Sequence, residues 1–62
     1  MKIKLNKEDK IADMPYYSIY LVPGEGYVVA NKLTRTAKIF KTAHYMEVLD
    51  YAMKIGEWYY GN

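Results

Sequence analysis

The chain has no cysteine, a single histidine, and no apolar run long enough to cross a membrane. Its longest stretch of aliphatic and aromatic residues, Ile19 to Val22, falls far short of the roughly 20 residues a spanning helix needs. Without cysteine there is no disulfide framework of the kind small secreted domains rely on. The opening residues MKIKLNKEDK contain no apolar signal-peptide core, and the expected setting is cytoplasmic. Net charge is only +2, too small to announce a nucleic-acid protein by itself, so the distribution of charge matters more than its sum. There is no internal repeat, linker or low-complexity segment, which leaves one domain spanning 1–62.

What the chain does have is aromatic surface. Eight tyrosines, one tryptophan and one phenylalanine are more rings than so small a core can hide, since a domain of this size buries only about 60% of its unfolded surface. Some rings are therefore expected outside, where a large contact area with a polar tip suits recognition. Tyrosine also suits half-buried strand positions, which is the structural explanation of the same count.

The strongest local signal is YYSIYLVPGEGYVVAN, Tyr16 to Asn31. Two β-rich runs flank Pro23-Gly24, the pair favoured at the centre of a type II turn. Closing the loop with Val22 opposite Tyr27 separates two faces. One carries Ile19, Leu21, Val28 and Ala30, and the other Ser18, Tyr20, Val22, Tyr27, Val29 and Asn31. A turn over Asn31 to Arg35 leads into a further strand, Thr36 to Lys41. With Thr36 opposite Asn31, Ala37 and Ile39 join the aliphatic face and Lys38 and Phe40 the tyrosine face. A one-residue shift would exchange them and carry Phe40 inward.

Upstream, Lys2-Ile3-Lys4-Leu5 alternates like a short edge strand, which would add an N-terminal fourth strand to the sheet. Asn6 to Asp13 loses that alternation and is expected to form one or two helical turns capped by Asn6 and ended by Pro15. Downstream, Thr42 is a good helix cap. Tyr45, Val48, Leu49, Ala52, Ile55 and Tyr59 then fall on one stripe at helical spacing, with Gly56 as an early end or, if Trp58 to Tyr60 extend the helix, Gly61 as its C-terminal stop. Asp50 and Lys54 stand four apart in the favourable order on the polar side. The expected fold class is α+β: a three-stranded antiparallel β-meander, with the short N-terminal strand as a candidate fourth, packed on one C-terminal helix. The expected core is Ile19, Leu21, Val28, Ala30, Ile39, Tyr45, Val48, Leu49, Ala52 and Ile55.

No catalytic or cofactor signature stands out. His44 and Glu47 are three apart, as metal ligands on a helix can be, but no second cluster accompanies them. Ser18 sits mid-strand with no partner to activate it. Glu47, Asp50 and Glu57 recur along a face that merely needs water, and Gly24-Glu25-Gly26 lacks the further glycines of a phosphate loop. The chain is therefore read as no enzyme, with no metal and no cofactor.

Two binding readings remain. The first is a non-enzymatic protein-binding module, of the size of small regulators or inhibitors carried by phages and other mobile elements. Its contacts would be Tyr20, Val22, Tyr27, Val29 and Phe40 on the sheet and Trp58, Tyr59 and Tyr60 at the C-terminus, with a protein partner or a second copy of the chain. The second is DNA or RNA binding. Ala30 to Met46 contains no acidic residue, so Lys32, Arg35, Lys38 and Lys41 form a basic stripe, with Asn31 beside it to contact bases or sugars. The stretch Ala37-Lys38-Ile39-Phe40-Lys41-Thr42, followed by Leu49 and Ala52, resembles the strand, Phe-x-Thr, helix ending of small three-stranded-sheet-plus-helix domains. These include the arm-type DNA-binding domains of phage and transposon tyrosine recombinases and the plant ethylene-response-type domains. The resemblance covers Tyr16 to Lys54 in architecture and implies a sheet laid in the major groove.

Overall fold

The computed structural model describes residues 4–60, and of Trp58, Tyr59 and Tyr60 it describes the backbone alone. A 3-10 turn at Lys7–Asp9 leads into strand β1 (Lys10–Asp13), followed by β2 (Tyr17–Val22), β3 (Gly26–Asn31), β4 (Thr36–Phe40) and helix α1 (Tyr45–Tyr60). The strands form one antiparallel sheet in the order β1-β2-β3-β4. The helix packs across β2 and β3. The fold is thus α+β, a meander covered on one side by a C-terminal helix, with four strands.

The fourth strand is not where the alternation of Lys2 to Leu5 placed it. Lys4 and Leu5 are outside any strand, and Met1 to Ile3 lie outside the described residues. The segment expected to be helical supplies the strand instead: Asn6 makes no side-chain cap bond, the turn it opens lasts three residues, and Lys10 to Asp13 pairs with β2. One or two isolated helical turns fix many dihedrals for few hydrogen bonds. The unpaired edge of β2 offers that backbone a full set of partners instead.

The hairpin turn forms as its residues predict. Gly24 takes φ +82 and the Glu25 amide donates to the Val22 carbonyl at 3.0 Å, the geometry of a type II turn. The register differs by one residue, because Gly26 joins the ladder opposite Val22 and the loop is only Pro23 to Glu25. Ile19 now meets Val29, and Leu21 meets Tyr27. A one-residue change reverses every side chain of the return strand. Tyr27 and Val29 therefore share the face of Ile19, while Val28 and Ala30 share that of Ser18 and Tyr20. The pairing of β4 is as expected, Thr36 opposite Asn31, so Phe40 and Lys38 follow Tyr27 and Val29 to the helix side.

The reason lies in area. Tyr27-Val28-Val29-Ala30 is apolar throughout, so alternation does not choose between its two faces. Placing Tyr27, Val29 and Phe40 against the helix sets two aromatic rings beneath it, where Val28, Ala30, Ala37 and Ile39 would set none. The resulting core is Tyr17, Ile19, Val29, Val48, Ala52 and Ile55, with Ala12, Tyr16, Tyr27, Phe40, Tyr45, Leu49 and Tyr51 packed half-buried against it. Of the expected core, Ile19, Val28, Val48, Ala52 and Ile55 are buried. Leu21 and Ile39 are instead 45% and 38% exposed, Leu21 on the helix side and Ile39 on the opposite face. Ala30, Tyr45 and Leu49 are half-buried.

The helix begins at Tyr45, and Thr42 serves its entrance: its hydroxyl accepts the His44 amide at 3.1 Å and donates to Glu47 Oε2 at 3.0 Å. Gly56 does not end the helix. An added Cβ there would meet the Tyr16 ring at 3.5 Å, an ordinary packing contact. Asp50 and Lys54 close no ion pair. The proposed stop, Gly61, lies outside the described residues.

Candidate functional site: the open margin of the sheet

β4 is an outer strand of the sheet, and with the helix over β2 and β3 its Thr36, Ala37, Lys38 and Ile39 are all exposed. On its helix side an aromatic row closes the gap to α1. Tyr27 and Tyr45 have ring centroids 5.4 Å apart, and Phe40 meets Tyr51 edge-on at 5.0 Å. The Lys38 ammonium stands 5.4 Å from the Phe40 ring and 5.1 Å from Tyr51. The charge thus sits within cation–π range of two rings. At the opposite end of the strand an open cleft of about 260 Å³ is lined by Asn31, Tyr51, Lys54 and Ile55. Asn31 is the register partner of Thr36, so this cleft borders the Thr36 end of β4.

The helix-free face has a different character. From β2 to β4 it carries Ser18, Tyr20, Val22, Gly26, Val28, Ala30, Ala37 and Ile39, with no charged residue. Val28 and Val22 are buried, Tyr20 and Ala30 half-buried, and Ala37 and Ile39 open. Charge enters only at the β1 edge, where Lys10 stands 5.9 Å over the Tyr20 ring. There Asp13 Oδ1 accepts the Ser18 hydroxyl at 2.8 Å and the Lys32 ammonium at 2.6 Å. Asp13 Oδ2 lies 3.5 Å from Lys10. The Lys32 hydrogen bond, helped by that of Ser18, holds the Asp13 carboxyl down to about 2.

The contact residues expected on one sheet face are divided by this register. Tyr20 and Val22 are on the helix-free face; Tyr27, Val29 and Phe40 are turned to the helix and belong to the core or its rim. The side chains of Trp58, Tyr59 and Tyr60 lie outside the described residues. The basic residues are divided as well. Lys32 is engaged by Asp13, Lys38 lies on the helix side, and Arg35 sits in the β3–β4 turn at φ +59. Asn31 spends its side-chain oxygen on that turn, accepting the amides of Leu33 at 2.9 Å and Thr34 at 3.2 Å. Arg35, Lys38 and Lys41 are exposed and have no carboxylate partner among the described residues.

Sequence reasoning missed Tyr51 and Tyr17, the first a wall of the cleft and a partner of Lys38, the second a core residue. Tyr51 lies just outside the apolar stripe of α1, and only the uncovered margin of the sheet gives it a neighbour. Among the described residues no three of His, Cys, Asp and Glu converge as metal ligands would, and no helix is long and apolar enough to cross a membrane. The fold and margin define a small open-edged α+β sheet domain. Comparisons with protein-family models, with curated proteins and with solved structures find no match.

Proposed function

We propose that this chain is a non-enzymatic protein-binding module that works through the helix-free face of its sheet and the adjoining β4 edge. The observation that supports this reading is the uncharged margin of that face, where Ala37 and Ile39 are exposed beside the half-buried Ala30, while Val28 and Val22 are already buried. A sheet margin that faces water normally carries polar residues, and Ala37 and Ile39 are apolar. Such a surface favours contact with another apolar surface. Its size matches small regulators and inhibitors of phages and mobile elements, and a cytoplasmic setting belongs to the same proposal. Affinity capture from host lysate, with and without nuclease, tests it. A protein retained under both conditions and lost with Ile39→Glu or Tyr20→Ala supports the reading. Capture that vanishes with nuclease, or turnover that disappears on changing His44, overturns it.

The second reading, nucleic-acid binding, draws its support from the exposed Arg35, Lys38 and Lys41, which have no carboxylate partner among the described residues. It requires affinity that falls steeply with salt and a shallower salt dependence in Arg35→Gln.

A further inference from the structure

We propose that β4 is a receiving edge for an extended acidic segment of the partner protein, which joins the sheet as a fifth strand. This inference rests on the protein-binding reading and gives its partner a chemistry. The two edges of the sheet differ. β1 is four residues long, its register shifts between Lys10 and Ala12, Asp13 is tied across the sheet to Lys32, and Pro15 follows two residues later. Short length, a bulge, charge and proline are the devices by which sheets close an edge to further pairing. β4 has five residues in unbroken register, no proline and no bulge, and its outer side meets no strand among the described residues. A row of alternating N–H donors and C=O acceptors is therefore available there to a polypeptide of about 17 Å.

Charge selects the occupant. Between Ala30 and Met46 there is no acidic residue, and Arg35, Lys38 and Lys41 flank or lie within the edge without a carboxylate partner. A second copy pairing antiparallel about Lys38 would set Lys38 against Lys38, and centring the pair on Ala37 or Ile39 instead makes Arg35 of one copy and Lys41 of the other diagonal neighbours on one face. Like charges directly opposite weaken a strand pair. A DNA backbone meets the cations but offers no hydrogen-bond donor to the edge carbonyls, and the 2′-hydroxyls of RNA do not repeat at the spacing of a strand, so the edge carbonyls would stay unsatisfied. An acidic polypeptide answers both.

The two faces then specify the order of residues. Side chains opposite one another across a strand pair share a face. The position facing Lys38 is on the helix side and takes Asp or Glu. The helix-side position facing Thr36 borders the cleft where Lys54 supplies a second cation, and it takes an acid as well. Positions facing Ala37 and Ile39 lie on the uncharged face and take Val or Ile. The expected ligand alternates acidic and β-branched apolar residues.

A capped nine-residue peptide of alternating valine and glutamate, titrated into the full chain at low salt and followed by backbone amide shifts, tests this. The expected result is saturable binding with the largest shifts over Thr36 to Phe40 and slowed amide exchange in β4. A peptide of the same composition with its glutamates in one block, and an alternating valine–lysine peptide, should bind at least tenfold more weakly. Lys38→Glu should reverse the preference between glutamate and lysine peptides. If its amide spectrum shows that it does not fold, Lys38→Gln should weaken the glutamate peptide severalfold. Equal binding of the blocked and alternating peptides, shifts centred away from β4, or no saturation at millimolar peptide overturns the inference. Should a protein partner sensitive to Ile39→Glu still be captured in that event, strand addition fails while the protein-binding reading stands.

Discussion

The α-carbon of Gly26 faces the carbonyl oxygen of Phe40 so closely that a Cβ built on it would lie 2.5 Å from that oxygen. The strand that returns from the hairpin and the end of β4 meet there backbone to backbone. Gly26 also takes φ +107, outside the range that side-chain-bearing residues readily adopt. Gly24, at φ +82, has nothing within 4 Å of the same hypothetical atom.

The two glycines should therefore respond differently to alanine. Gly24→Ala carries only conformational strain and is expected to destabilise by about 1 kcal/mol. Gly26→Ala adds a backbone clash and should cost at least about 2 kcal/mol, enough to threaten so small a domain. Urea unfolding of both variants checks the difference, and equal losses would contradict the close approach.

The sheet register makes its own prediction. Phe40 faces the helix against Tyr51, whereas Ile39 faces outward at 38% exposure. Phe40→Ala should cost about 2–3 kcal/mol and Ile39→Ala about 1 kcal/mol or less. Thermal or urea denaturation showing the reverse order would mean that β4 presents its other face to the helix.

Asp13 gives a pH dependence whose sign is set by its lowered pKa. A carboxyl at about 2 in the folded chain against 3.8 ordinarily is stabilising above 3.8. That contribution is lost as pH falls through 3.8 toward 2. In the wild-type chain the unfolding midpoint should drop across this window, and Asp13→Asn should show a shallower drop. A carboxyl-carbon titration of Asp13 giving an ordinary midpoint would remove the claim.

Arg35 is the one described non-glycine residue with positive φ, at +59. It closes the β3–β4 turn, its amide donating to the Asn31 carbonyl at 2.9 Å. Arg35→Gly should relieve the left-handed strain and stabilise the fold by roughly 0.5–1 kcal/mol, less the entropy glycine adds to the unfolded chain. Arg35→Val should destabilise, because a β-branched side chain tolerates that conformation worst. Paired melting curves distinguish these outcomes from an effect of charge alone, which would move both variants the same way.

Much of this fold is written in local chemistry. Pro23-Gly24 dictates its turn, Asn31 and the residues after it dictate the next, Thr42 marks the helix entrance, and the spacing of Val48, Ala52 and Ile55 states which side of the helix is buried. Each of these signals acts within a few residues, where steric and hydrogen-bond preferences decide. Local chemistry did not place the first strand or choose the face of the third. Lys10 to Asp13 is a strand only because β2 offers it an edge. Tyr27 to Ala30 is apolar on both sides, so only the competition to fill the space beneath α1 turned Tyr27, Val29 and Phe40 inward. That choice removed two rings and a valine from the expected binding face and left an uncharged one in their place. It also set Lys38 over Phe40 and Tyr51 at the margin. The sequence alone determined that there would be a meander, a helix and surplus aromatic surface. The tertiary structure decided which rings are core and which edge is open, because burial is a property of the assembled layers and not of any strand.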